Sequence, residues 1–417
     1  MSGFAVKDEL LDAQTLRAAS TAIFGGADVF ETVAIARRVK GTDFDSWHAE
    51  WSKAADAAYS LGVTAETRGE GETARLAFLR ATTYYRTAGS VFLARPVDPR
   101  LPASISRQGE AFRRALSHFD TPVEQVAIPY EGTTLPGYFF SAVATDASDA
   151  PDASAKRATV ILIDGYDGTT EELYFWNARA ALDRGYNVLA FDGPGQGAVL
   201  VEQGLPLRPD YENVVTPVVD FLLERSDVDP ARIALIGLSL GGYFAPRAAS
   251  GEHRVAACIA DSGAFDLFDA SVARVPKPLA GQIPDGNETA LKLVEALIDR
   301  MMKQPTEGWA LRRNLYAHGV ETAMDYFRIA KEFTLKGFAE KITCPTLITH
   351  AEGDDIGASA PELFDALTCE KEIILFTAEE GAAQHCETGA RQLYHARTFA
   401  WLDSHLHPRA LHLPHIS

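Results

Sequence analysis

The chain has 417 residues, 47% hydrophobic and 23% charged, as expected of a globular protein with a core of roughly 250 to 300 residues and an added region. Its formal net charge of −18 argues against nucleic acid or an anionic membrane as partner and leaves a small-molecule organic substrate as the better fit. Four cysteines (Cys258, Cys344, Cys369 and Cys386) without C-x-x-C spacing, and no apolar leader after the start, lead us to expect a cytoplasmic protein with reduced thiols.

From about residue 10 to residue 119 the apolar residues recur at helical spacing. Trp47, Trp51, Ala55 and Ala58 share one face, and Ala77, Ala81, Tyr84, Tyr85 and Ala88 another. No fixed-period repeat accompanies them, so residues 1–120 are expected to form an N-terminal helical domain whose aromatic stripes are core. After Asp120-Thr121-Pro122 the pattern changes to alternation over residues 123–128 and 135–140, two antiparallel strands joined through residues 131–134. Residues 144–157, rich in Asp, Ser, Ala and Pro, read as a solvated loop.

Short apolar strands then alternate with helical stretches, at residues 159–163, 188–191, 233–236, 255–259, 346–349 and 373–376. That alternation predicts an α/β core over residues 121–417, a mostly parallel sheet with helices on both faces. The run Val160-Ile161-Leu162-Ile163 is far short of the roughly 20 residues that span a bilayer. Between about 263 and 340 the strand rhythm stops, and Leu297, Met301, Trp309, Leu315, Tyr326 and Phe333 read as part of several helices, a helical lid inserted in the sheet.

Chemistry enters at Gly237-Leu238-Ser239-Leu240-Gly241. An apolar strand precedes it and an alanine-rich helix follows, so Ser239 sits where a strand turns sharply into a helix and its hydroxyl stands clear of the backbone. Glycines two before and two after make room for the turn, and the helix N-terminus favours developing negative charge. By itself G-x-S-x-G is a weak signal; its strand-to-helix setting makes it specific.

A serine nucleophile needs a histidine base and a carboxylate that holds the histidine in the right tautomer. The strand at 346–349 leads into Ala351-Glu352-Gly353-Asp354-Asp355. This loop at the strand's carboxyl end is where open α/β sheets carry functional groups. Asp354 is the chosen acid and Asp355 the alternative. The last strand leads to His385, the chosen base; His350, His395 and the tail histidines 405, 407, 412 and 415 read as structural or exposed. The oxyanion hole is expected from the backbone N–H groups of Leu240 and of Tyr166, in the loop Asp164-Gly165-Tyr166-Asp167-Gly168. The turn Asp192-Gly193-Pro194-Gly195-Gln196-Gly197 lacks the ending of a dinucleotide fingerprint and reads as a rigid loop beside the site. No cofactor and no metal are expected.

These motifs together, Asp192–Gly197, Gly237–Arg247 and Glu380–Cys386 behind a helical N-terminal region, are similar to those of α/β-hydrolases of the 2,6-dihydroxypseudooxynicotine hydrolase group, whose fungal relatives shorten polyketide chains. The resemblance covers about residues 123–402 by motif and the N-terminal part by pattern. It implies an α/β-hydrolase fold, a Ser239, Asp354 and His385 triad, a homodimer, and cleavage of a carbon–carbon bond next to a ketone. An extra carboxylate near the pocket, with Asp266 and Asp269 as local candidates, is implied too. An esterase or lactonase, an acyl transferase and a non-catalytic ligand-binding relative are the alternative readings, because one triad serves several bonds and some relatives of this fold have lost turnover.

Overall fold

In a computed structural model of the chain, residues 3–142, 156–272 and 288–406 are described. Five helices come first: α1 (Glu9–Ser20), α2 (Val29–Ala36), α3 (Phe44–Thr67), α4 (Gly71–Gly89) and α5 (Arg100–Leu116). The carboxylates of Asp8 and Asp43 accept from Leu11 N–H and Asp45 N–H, replacing partners that first-turn amides lack. The predicted stripes are core. Trp47, Trp51 and Tyr84 are fully buried, with Trp51 5.3 Å from Trp47 and 5.7 Å from Tyr84 between ring centroids.

Among the described residues eight strands follow: β1 (Val123–Tyr130), β2 (Thr133–Phe140), β3 (Arg157–Ile163), β4 (Asn187–Phe191), β5 (Val228–Gly237), β6 (Ala257–Asp261), β7 (Thr346–Ala351) and β8 (Lys371–Phe376). They form one sheet in the order β1-β2-β4-β3-β5-β6-β7-β8, antiparallel only where β2 meets β1 and β4. Side chains alternate between faces. Ile161, Ile163, Leu189 and Leu235 join the core that contains Leu11, Trp47 and Tyr84, while Val160, Leu162, Val188 and Ile236 join Phe78, Tyr174 and Phe399 on the other side. Both faces are therefore dry, which is why the central strands read as unbroken apolar runs rather than as alternation.

Between strands lie α6 (Thr170–Leu173), which passes through a π-helical turn (Tyr174–Ala178) into α7 (Arg179–Leu182), then α8 (Gly197–Gln203), α9 (Glu212–Leu223) and α10 (Gly241–Ala249). Between β6 and β7 the chain forms α11 (Leu267–Val272), α12 (Glu288–Met302), α13 (Trp309–Ala317) and α14 (Ala323–Ala330), which share a small core of Phe268, Val294, Ile298, Leu315, Tyr326 and Phe327. The last helices are α15 (Ala360–Ala366) and α16 (Arg391–Leu406). Among the described residues no helix is long and apolar enough to cross a membrane.

The sixth strand lies two residues later than the apolar run at 255–259 predicts. Pairing with β7 begins at Cys258 and continues to Asp261, a buried carboxylate that Arg391 meets at 3.4 Å and that an apolar-run reading leaves out. His405 is not an exposed tail residue: its ring lies 4.1 Å from that of Trp401. His407, His412 and His415, and nearly all of the loop expected at 144–157, lie outside the described residues.

Candidate active site

Ser239 follows β5 with φ +60°, a left-handed conformation that L-residues rarely adopt. The turn is tight: a β-carbon on Gly237 would lie 1.9 Å from the Gly241 carbonyl oxygen, and one on Gly241 2.4 Å from that of Ile163. Leu238 N–H donates to Ile163 O at 3.0 Å, tying the turn to the end of β3. α10 starts two residues beyond Ser239, so its N-terminal dipole faces the hydroxyl.

His385 and Asp354 come from the loops after β8 and β7 and meet at this turn. His385 Nε2 lies 2.8 Å from Ser239 Oγ, and His385 Nδ1 lies 2.8 Å from Asp354 Oδ2. Asp354 is buried and Asp355 exposed, so the structure brings the first of the two adjacent carboxylates to the imidazole. Burial would raise the Asp354 carboxyl, but His385, the Ser262 hydroxyl and the Ile356 N–H together hold it below the ordinary aspartate range. Desolvation likewise opposes charge on His385, yet the Asp354 carboxylate, with Asp261 behind it, outweighs that and holds the imidazole above the usual histidine value. The arrangement suits a proton relay in which His385 accepts at Nε2 while Nδ1–H stays on Asp354.

The loop after β3 closes the other side. A β-carbon on Gly165 would lie 2.8 Å from Ser239 Cβ, 2.9 Å from its Oγ and 3.0 Å from Leu240 N, so this backbone lies directly against the hydroxyl and the Leu240 N–H. Gln196 fixes it there. Its Nε2 donates to the carbonyl oxygens of Asp164 and Gly165, and its Oε1 accepts from Gly193 N–H and Tyr211 OH. Asp192 accepts from Thr170 N–H and Ala198 N–H, each at 2.8 Å. The Asp192–Gly197 turn is thus a clamp on the loop. The phenol of Tyr166 reaches away, 2.8 Å from His318 Nε2 on the helices between β6 and β7.

Ser239 and His385 open on a cavity of about 210 Å³. Its apolar wall is Leu10, Leu16, Trp176, Leu238, Trp309 and Ile356; its polar wall includes Gln14, Arg17, Asp164, Arg313 and Gln384. Asp164 is pushed up to about 7 by burial and by Glu172. Arg17 of α1 grips Glu172 with Nε at 2.7 Å and Nη2 at 2.6 Å, and reaches Asp167 at 3.1 Å. Arg86 of α4 meets the same two carboxylates at 3.2 Å each. Two guanidinium groups and two carboxylates thereby join the helical region to the loop after β3 and to α6.

Arg17 and Ser262 were not among the residues the sequence picked out, and Gln196 was read only as part of the rigid turn beside the site, not as the residue that holds the loop after β3. Leu10, Gln14 and Arg17 do recur at helical spacing, but nothing local marks that face as a pocket wall rather than a solvated one. Asp266 and Asp269 do not line this cavity; both pair with Lys336, at 3.2 and 2.8 Å. Among the described residues no group of three or more His, Cys, Asp or Glu side chains is placed to hold a metal ion.

Comparison with known proteins agrees with this fold. Residues 160–397 match the alpha/beta hydrolase family, and the chain belongs to that family. It is 36% identical to Hydrolase LUC6 of Fusarium sp, over 93% of this chain and 94% of that one. It is 35% identical to 20-hydroxy-prefusarin hydrolase FUS2 of Gibberella moniliformis, with the same coverage. Among solved structures the 2,6-dihydroxy-pseudo-oxynicotine hydrolase superposes with a TM-score of 0.72 at 20% identity, covering 93% of this chain and 95% of its own. The protein is a hydrolase.

Proposed function

We propose that the protein is a serine hydrolase that cleaves a carbon–carbon bond next to a ketone in a small polyketide or aromatic substrate. The observation that carries this reading is the line of two 2.8 Å contacts from Ser239 through His385 to Asp354 at one wall of a mainly apolar cavity. Ser239 Oγ gives its proton to His385 Nε2 and attacks the carbonyl. The oxyanion rests on the N–H groups of Leu240 and Tyr166. As the tetrahedral adduct collapses, the carbon–carbon bond breaks and its electron pair leaves as an enolate or aryl carbon, which takes the proton from His385. Water, deprotonated by His385, then attacks the acyl-serine and releases a carboxylic acid.

A carbanion leaves only if it is delocalised, so the substrate is a β-diketone or an acylated phenol. The helices between β6 and β7 act as a lid, since α13 supplies Trp309 and Arg313 to the cavity. Residues 1–120 act as its second wall, through Leu10, Gln14 and Arg17. The kinship with FUS2 supports a place in secondary metabolism. We further propose an intracellular homodimer: the described cysteines are all free, and Phe30, 86% exposed beside the exposed Val29, offers an apolar contact.

The test is incubation with β-diketone, acyl-phenol and ester panels, followed by product masses and mass spectrometry of Ser239. Cleavage of the ketones, with the acyl fragment on Ser239 and no turnover by Ser239→Ala, is expected. Turnover of simple esters alone would sink the carbon–carbon reading, and an unlabelled Ser239 would favour a ligand-binding protein.

A further inference from the structure

Ser262 occupies a backbone conformation that suits glycine. It follows β6 at φ +82°, with Gly263 after it at φ +52°, so a residue with a β-carbon is strained where a glycine would not be. What serine adds is a hydroxyl. Ser262 Oγ donates to Asp354 Oδ2 at 2.7 Å, the same oxygen that accepts His385 Nδ1–H at 2.8 Å, while Asp354 Oδ1 accepts from Ile356 N–H at 3.0 Å. Ser262 is 1% exposed, so water does not compete for that bond.

We propose that Ser262 is a positioning residue of the Ser239–His385–Asp354 relay, its hydroxyl orienting the Asp354 carboxylate and setting the pH at which His385 becomes a base. The proposal rests on the serine hydrolase reading above. A carboxylate that accepts a further hydrogen bond is a weaker base and holds an imidazolium less firmly. Without the hydroxyl, Asp354 binds protonated His385 more tightly, and His385 stays charged to higher pH.

Several other charged or titratable groups face this pair. They are Asp261 at the end of β6, His350 on β7, Cys386 and Glu387 after His385, Arg391 on α16, and Arg17 from α1. All are common to the variants below, so the difference between variants reports position 262.

The experiment follows the rate at which a fluorophosphonate phosphonylates Ser239, with loss of fluoride, between about pH 5 and pH 9, a reaction that requires neutral His385. Wild type, Ser262→Gly and Ser262→Ala are compared, with Ser239→Ala as the labelling control. The glycine variant loses the hydroxyl and relieves the backbone; the alanine variant loses the hydroxyl and keeps the strain. Both are expected to move the acid limb up by roughly 0.5–1 pH unit, a three- to tenfold slower reaction near pH 6. A wild-type limb in Ser262→Gly overturns the proposal, as does a shift confined to Ser262→Ala, which would assign the effect to the backbone. Wild-type protein that acquires no label on Ser239 overturns the hydrolase reading itself, and this proposal with it.

Discussion

At the scale of single residues, the site depends on one missing side chain as much as on those present. Gly165 lacks a positive φ, so alanine suits its backbone, yet the added β-carbon would sit 2.8 Å from Ser239 Cβ and 3.0 Å from Leu240 N. Gly165→Ala is therefore expected to keep its fold and slow Ser239 acylation by about 10²-fold or more, the scale of losing an oxyanion donor. Circular dichroism and acylation rates would check this; a near-wild-type rate would place the oxyanion loop elsewhere. Ser239 and Asp354 could be picked out in the sequence because each lies within three residues of a strand's carboxyl end, and His385 because it is on the loop that follows the last strand, positions readable from local pattern alone. Ser262 occupies the same kind of position after β6, but Asp261-Ser262-Gly263 reads as an ordinary turn. Its role depends on a carboxylate 92 residues away, which no local pattern contains.

At the scale of elements, the strands and the long helices follow from periodicity, whereas the contact of α1 with the loop after β3 and with α6 does not. The contact is electrostatic: Arg17 and Arg86 face Asp167 and Glu172 with little exposure, 18% for the Arg17 side chain and 9% or less for the others. Such a group stabilises little compared with an apolar replacement of the whole, but removing Arg17 takes a two-point partner from Glu172 in a poorly solvated place, leaving it to Arg86 while Asp167 keeps Arg86 and Arg313. Arg17→Met removes a charge while keeping most of the volume. It is expected to cost about 1.5–3 kcal/mol, the scale of lost hydrogen bonds to a charged group, read as a lower urea midpoint, and Arg17→Met with Glu172→Gln should recover part of that loss. Equal stability of Arg17→Met and wild type would mean that water reaches these carboxylates. In the sequence these four residues span positions 17 to 172, and each alone reads as a charge on a solvated helix or loop.

For the whole molecule, burying one continuous core against both the helical region and the sheet also buries titratable groups, and the pH dependence of stability follows from their balance. His318 and His395 are each pushed down to about 3, chiefly by burial, with help from Arg313 and Arg391 respectively. Unfolded histidine titrates near 6.5, so below that pH the unfolded chain takes up protons that the folded protein refuses. Stability is then lost at roughly 1.4 kcal/mol per pH unit from each histidine. Asp164 and Asp192 act in the opposite sense. Burial pushes both up to about 7, so on acidification from 7 towards the ordinary aspartate range the folded protein binds their protons first and gains stability. His385, held above its ordinary value, works in the same direction as these aspartates. The wild-type curve is a sum of opposed slopes, and the informative quantity is a difference between two proteins. His318→Gln keeps an acceptor for Tyr166 OH and removes one titration. Its stability relative to wild type, from urea denaturation at several pH values, should be constant above about pH 6.5 and rise by roughly 1.4 kcal/mol per unit below it. A constant offset across the whole range would mean that His318 is protonated as readily inside the fold as outside it, and that the space between Tyr166 and Tyr326 admits water.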